Sequence, residues 1–324
     1  MKINSMNYFY CSYSRLLLNS PIKRESDGCE HRHMKRRGCD GNRFSVYWEN
    51  HREKKMTGQR IMLAYKDRVA VVTLNRPRRQ NAFDRAMFLE LARVVNELKE
   101  KLPRAVVITG VENAFCAGFD VNPDNPWVAE LIAAVETSAS KPAEGLIRDL
   151  RAVSDEFASL PVPLIAAVNG LAYGGGAELA VRCDLRIMAP DAVICFSEVR
   201  LGLMPDWGGG ATLAHLIGAS RAADLILTAR KVGADEAVAL GLANRISRPG
   251  KCLEDALALA EAISKNGPRA VRSALSVIRQ SRDMTLQQNL ALEADLAVKL
   301  IVSGECFHGV AAFLEKREPD FPDA

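Results

Sequence analysis

Apolar positions along the chain follow two rhythms, short β-branched runs and longer stretches at helical spacing, and their alternation predicts an α/β fold. Val69-Ala-Val-Val-Thr-Leu74 is a strand pattern closed by Asn75-Arg-Pro77, a turn signal. From Asp84, a residue suited to capping, Met87, Leu91, Val94, Val95, Leu98 and Leu102 recur at helical spacing until Pro103, which predicts a helix over 84–102. A second strand is expected over 105–109, delivering the chain to Phe115-Cys-Ala-Gly118-Phe119-Asp120. Residues 121–160 are mostly polar or helical and lead into an apolar run over 162–168, a glycine loop and a helix over 177–183. Two short strands are expected over 185–188 and 192–196. The crude recurrence of two strands plus a helix points to a repetitive, spiral build. Beyond residue 220 the pattern turns helical, over 221–228, 234–240, 253–264, 268–281 and 285–302.

Charge divides the chain unevenly. The first 55 residues carry 12 Lys/Arg against 6 Asp/Glu, a balance of +6, and leave about −2 for the rest of a chain whose total is +4. This leader has no sustained hydrophobic period and reads as a poorly ordered basic extension, with a core expected over 56–250 and a helical C-terminal region over 251–324. Its Cys29, His31, His33 and Cys39 match no strong zinc spacing, and no metal site is expected. No aromatic-and-basic alternation supports specific nucleic-acid binding. The longest apolar stretch, over 160–181, is broken by prolines, glycines and Glu178, so no membrane span is expected. The scattered cysteines show no disulfide framework and fit reduced thiols in a cytoplasm.

The candidate chemistry sits in three segments. Three consecutive glycines in Tyr173-Gly-Gly-Gly-Ala-Glu178 suit a place where the backbone approaches a ligand closely, and amides leading into a helix face incoming negative charge. Glu198 follows the strand over 192–196, and Phe115–Asp120 follows another strand. Each glutamate alone reads as a solvated or ion-paired residue; together with the glycine loop they read as an acid/base pair beside an oxyanion hole. Asp120 and Asp184 are expected to cap or bond loop amides, and Cys116 to be a small packed residue. The glycines match neither GxGxxG nor GxxxxGK[ST].

In order along the chain, Leu74-Asn-Arg-Pro77, Asn81-Ala82, Phe115–Asp120, Ala166-Ala-Val-Asn-Gly170, Gly174-Gly-Gly-Ala-Glu-Leu-Ala180, Cys183-Asp184, Glu198, Leu201-Gly202, Pro205, Gly208-Gly209 and Ala312-Phe-Leu-Glu-Lys-Arg317 resemble the crotonase superfamily, the enoyl-CoA hydratase and isomerase group. The resemblance runs from about residue 60 to 321. It implies a crotonase-like α/β spiral of ββα repeats, assembling as trimers or paired trimers. It also implies that the Phe119 and Gly175 amides hold an acyl-CoA thioester oxygen, and that Glu178 activates water while Glu198 protonates the α-carbon. Asn81, Ala82, Ala117, Gly118, Asp120, Val121, Gly174, Asp206, Phe313 and Lys316 are the implied substrate-binding positions, with Arg78 or Arg79 as a further phosphate contact. Coenzyme A is then part of the substrate, and no separate cofactor is implied. The reaction so implied is hydration of a 2-enoyl-CoA. Asp206 stands where many such hydratases have glycine and dienoyl-CoA isomerases have a functional aspartate, which keeps an isomerase as the alternative. A non-catalytic CoA- or RNA-binding member is a further alternative, disfavoured because both glutamates and both oxyanion positions are present. Other departures are the bulky Phe119, a long 121–160 segment and His308 in place of a glutamate.

Overall fold

The computed structural model describes residues 59–323. The basic leader and its Cys29, His31, His33 and Cys39 lie outside the described residues. The described residues open with β1 (Ile61–Lys66) and β2 (Val69–Leu74), an antiparallel hairpin turned at Asp67, whose φ is 52°. Helix α1 (Arg85–Glu100) follows. Asp84 caps it by accepting from the Met87 amide at 2.9 Å, and Met87, Phe88, Leu91, Val94, Val95 and Leu98 form its buried stripe. Each fully buried side chain of that kind contributes about 1.5–3 kcal/mol over leaving it exposed.

The expected spiral takes a definite form from here. Strand pairs β3 (Ala105–Gly110) and β4 (Ala114–Cys116), β5 (Leu164–Val168) and β6 (Leu171–Tyr173), and β7 (Leu185–Met188) and β8 (Val193–Cys195) each send their first strand into one sheet and their second into another. The larger sheet runs β1-β2-β3-β5-β7-β10 and is parallel from β2 onward, closing with β10 (Arg245–Ile246). The smaller runs β4-β6-β8-β9, with β4, β6 and β8 parallel and β9 (Val232–Gly233) antiparallel to β8. Every residue of β2, β3 and β5 is buried, as expected for parallel strands covered on both faces.

Helices α2 (Pro126–Thr137) and α3 (Ser140–Ala158) fill the 121–160 segment, and α4 (Gly175–Val181) follows β6. Next come α5 (Gly209–Ile217), α6 (Ala219–Thr228), α7 (Ala234–Ala239), α8 (Cys252–Ser264), α9 (Pro268–Gln280), α10 (Leu286–Val302) and α11 (Glu305–Leu314). Helix α8 packs across β2, β3, β5 and β7, and α4 packs on α5. Among the described residues no single helix is long and apolar enough to cross a membrane; α10 and α11, bent by 71°, meet that test only as a pair.

The buried Arg186 holds α4 from behind. It donates to the carbonyls of Cys183 (2.6 Å), Leu242 (2.6 Å), Ala180 and Val181 (both 3.4 Å), so the last carbonyls of that short helix meet a cation. Asp184 accepts from the Leu164 amide and from Arg279, and Asp120 accepts from the Asn122 amide and from Arg76, the structural roles expected of both.

Candidate active site

Three parallel neighbours, β4, β6 and β8, end side by side, and each delivers one candidate segment within three residues of its C-terminal end: Phe119 after β4, Gly174 and Gly175 after β6, and Glu198 after β8. The carboxyl ends of parallel strands are where such sheets leave backbone groups open to a ligand. Phe119 is fixed by a parallel bridge to Phe83, made by the Phe83 amide to the Gly118 carbonyl (2.7 Å) and the Asp120 amide to the Phe83 carbonyl (2.8 Å). That pairing leaves the Phe119 N–H pointing away with no acceptor among the described residues. Gly175 opens α4, where an amide has no partner within the helix. The helix thus starts two residues earlier than the sequence pattern suggests, because glycines rather than Ala177 make its first turn. The two loops abut at Gly118, whose φ is 88° and where a Cβ would come within 2.7 Å of the Tyr173 oxygen and 2.9 Å of the Gly175 nitrogen. At Gly176 a Cβ would overlap the Cys116 carbonyl, so β4 and α4 meet backbone to backbone.

Glu178 is buried on α4 and reaches the turn that opens α5. Its Oε2 accepts from the amides of Trp207 (2.9 Å) and Gly209 (2.8 Å), and Oε1 from that of Asp206 (3.2 Å). Glu305 caps α9 in a similar way, accepting from the amides of Arg269 and Ala270, so this geometry alone describes a helix cap. What separates Glu178 is its neighbour. Glu198, 9% exposed, opens a 3-10 turn (Glu198–Leu201), and both its oxygens are buried and accept from no amide, hydroxyl or cation, the carboxyl of Glu178 being the group that faces them. A buried carboxyl without such donors is costly and points to a ligand or water as the missing donor.

Burial raises both carboxyls above the ordinary carboxylate range. At Glu178 the charge of Glu198 and then that of Asp206 add to burial, against the Gly209 and Asp206 amides; at Glu198 burial leads, its own backbone amide and a hydrogen bond with the Glu178 carboxyl work against it, and the charge of Asp206 adds. Two carboxyls so placed hold one proton between them. Glu178 is pushed up to about 8 although three amide donors on it oppose the rise, and Glu198, which has no donor from another residue's amide, shares the proton with the Glu178 carboxyl. Asp206 is half-buried and also raised by burial, with Arg151 acting the other way. Its charge acts on both glutamates, so the third acid belongs to the same cluster.

A stability consequence follows. Because the folded pKa of Glu198 is raised, its contribution is fully present below the unfolded value, about 4.3, and is lost as pH rises through the folded value. Glu198→Gln lacks that loss. The thermal midpoint of the variant should gain on wild type between pH 5 and pH 9, and a gap constant across that range would contradict the buried, raised carboxyl.

The remaining candidates divide. Asn81 is buried, its Oδ1 accepting from the Arg76 amide (2.9 Å) and its Nδ2 donating to the carbonyls of Ala114 (2.8 Å) and Val111 (3.2 Å). Ala82 is buried, its carbonyl held by Arg76, and Ala117 donates its amide to Gln80. Against burial, hydrogen bonds from Asn122 and Arg76 hold Asp120 below its usual range, so it keeps a charge. Val121 is half-buried beside it. Gly174, φ 51°, lies against Glu198, and its amide donates to Cys195 at 2.9 Å. Cys116 is fully buried and pushed up to about 12, the mark of an inert packed thiol. Phe313 and Lys316 are exposed at the end of α11. Arg79 pairs with Asp124 at 3.0 Å, and Arg78 is exposed.

Sequence reasoning missed Trp207 and Arg182. Trp207 is 3% exposed and lies against Gly175. Arg182 donates to the Trp207 carbonyl (2.7 Å) and pairs with Asp155 on α3 (2.6 Å), tying the α5 turn to α3. A tryptophan among glycines could have flagged the first; nothing local marks the second.

A family model described as enoyl-CoA hydratase/isomerase matches residues 64–324. The chain is 34% identical over 270 residues to an enoyl-CoA isomerase/hydratase of Zymoseptoria tritici, covering 78% of this chain and 83% of that protein. It is 35% identical over 265 residues to the 2,3-dehydroadipyl-CoA hydratase of Escherichia coli, covering 81% and 98%. An enoyl-CoA hydratase structure from Bacillus anthracis is similar at a TM-score of 0.74 and 33% identity, over 81% of this chain and 99% of that one.

Proposed function

Because the chain belongs to the enoyl-CoA hydratase/isomerase family, we propose that it adds water across the double bond of a 2-enoyl-CoA to give a 3-hydroxyacyl-CoA. The observation that carries this reading is the pair itself, one buried carboxyl held by three amides beside another whose one facing partner is the first. The thioester oxygen sits at the amides of Phe119 and Gly175. Charge that develops there as the β-carbon is attacked meets fixed dipoles, worth about 2.7–4 kcal/mol for one such donor. A water takes the place of the missing donor to Glu198, between the two carboxyls. Glu178 accepts a proton from it as its oxygen bonds to the β-carbon, and the electrons of the double bond move onto the thioester as an enolate. Glu198 then delivers its proton to the α-carbon, and the pair regains its single shared proton by transfer from Glu178. One water is consumed, with no electrons gained or lost overall, so the reaction so written calls on no cofactor beyond the CoA of the substrate.

The specific observation favouring a second reading is Asp206. A third acid whose charge raises both glutamates could pass a proton between carbons and move a double bond in a dienoyl-CoA. Glu178→Gln separates the two. Under the hydratase reading it lowers kcat for crotonyl-CoA hydration by about 10²–10³-fold and lowers any double-bond migration less. Equal loss of both, or loss of migration alone, would favour the isomerase.

Phe313 and Lys316 are assigned to the adenine and phosphate end of CoA by family analogy. Self-association into trimers or hexamers belongs to the same reading, supported by exposed apolar side chains such as Leu203, Met204, Leu286, Ile301 and Phe307. Four buried thiols, Cys116, Cys183, Cys195 and Cys252, suit a cytoplasmic setting.

A further inference from the structure

The acyl end of the substrate is shaped by an aromatic wall, and this inference rests on the acyl-CoA reading above. We propose that Trp207 sets the acyl length, restricting the enzyme to short 2-enoyl groups. The thioester oxygen is held at Gly175 and the β-carbon must face Glu178. Trp207 touches both places: a Cβ on Gly175 would lie 2.7 Å from three of its ring carbons, and its amide donates to Glu178 at 2.9 Å. Carbons beyond the β position therefore leave the reacting centre along this ring. The ring has nowhere to go. It stands edge-on to Phe88, 4.8 Å between centroids at 73°, and to Phe83, 5.7 Å at 78°. Phe88 in turn meets Trp127 on α2 at 5.2 Å, and Trp127 stacks on Phe119 at 6.2 Å and 15°. The wall so closed runs from one oxyanion residue, Phe119, to the neighbour of the other. Its members are aromatic rings in mutual contact, so it accepts an apolar acyl end, and a packed aromatic core resists the extra volume of each added methylene.

The test compares wild type, Trp207→Ala and Trp207→Phe in two ways. Turnover is measured on crotonyl-, octenoyl- and hexadecenoyl-CoA, and binding of the unreactive butyryl- and octanoyl-CoA is measured by calorimetry. Wild type is expected to lose at least about 10-fold in kcat/KM from crotonyl- to octenoyl-CoA, and Trp207→Ala to close or reverse that gap while tightening octanoyl-CoA relative to butyryl-CoA by a similar factor. Trp207→Phe, which keeps a smaller ring in the wall, should move the same way by less. Wild type indifferent to length, or variants that shift both ligands by one common factor, would overturn the proposal. An enzyme that ranks the saturated acyl-CoAs as expected yet hydrates none of the enoyl-CoAs would support the Trp207 assignment and overturn the reaction alone.

Discussion

Glu198→Gln is expected to cut hydration of crotonyl-CoA on the order of 10³-fold and to abolish double-bond migration with it, while the protein folds normally. The carboxyl accepts from no amide, hydroxyl or cation, and glutamine matches its shape and can still donate to Glu178, so the fold gives up little. What disappears is the proton that reaches the α-carbon, a step both reactions share. Rates are to be read with thermal midpoints at pH 5, where wild type and variant should be close. Near-wild-type turnover in a folded variant would remove Glu198 from the chemistry and leave it an unexplained buried acid.

Gly118→Ala should be nearly as damaging by a different route. Its φ of 88° is strained for any residue with a Cβ, and that Cβ would press on the Tyr173 oxygen and the Gly175 nitrogen at 2.7 and 2.9 Å. Relief means parting the loops after β4 and β6, which carry the two amides proposed to hold the thioester oxygen. Losing one such donor costs about 10²–10³-fold in kcat, and the strain costs about 1–3 kcal/mol of stability. Gly202→Ala separates these effects. Its φ is 71°, but a Cβ there meets nothing within 4 Å, so it should pay the strain and keep its turnover. Equal kcat values for the two variants, at equal loss of stability in urea, would mean that the close approach at Gly118 does not position the hole.

The sequence made some of this visible and hid the rest for physical reasons. Helix α1 was legible because its buried stripe, its Asp84 cap and the proline after it agree. Strands β2 and β3 were legible as branched apolar runs, and β5 lay within the apolar run over 162–168. Strands β4, β6, β9 and β10 have two or three residues each, too few for a period, and exist because neighbours pair with them. Strand β1 alternates buried and half-buried positions only over Ile61–Ala64 before ending in Tyr65-Lys66. Helix α5 begins with glycines and owes its start to the Glu178 carboxylate, a contact made across 31 residues. The glutamates were singled out by motif. Their asymmetry, three amides on one and no other residue's amide on the other, is a property of the folded loops and has no local signature. The same holds for Asp206, whose tie to the pair runs through its own backbone amide, and for Trp207, whose neighbours come from before α1, from α1 itself and from the glycine loop.

The most direct test of the central claim is mass spectrometry of the products formed from crotonyl-CoA and from a 3,5-dienoyl-CoA in water labelled with heavy oxygen. The account predicts that crotonyl-CoA gains the mass of one labelled water molecule, and that Glu178→Gln suppresses this gain. Crotonyl-CoA left untouched, with the dienoyl-CoA converted at unchanged mass, would contradict it and make Asp206 the third acid of an isomerase.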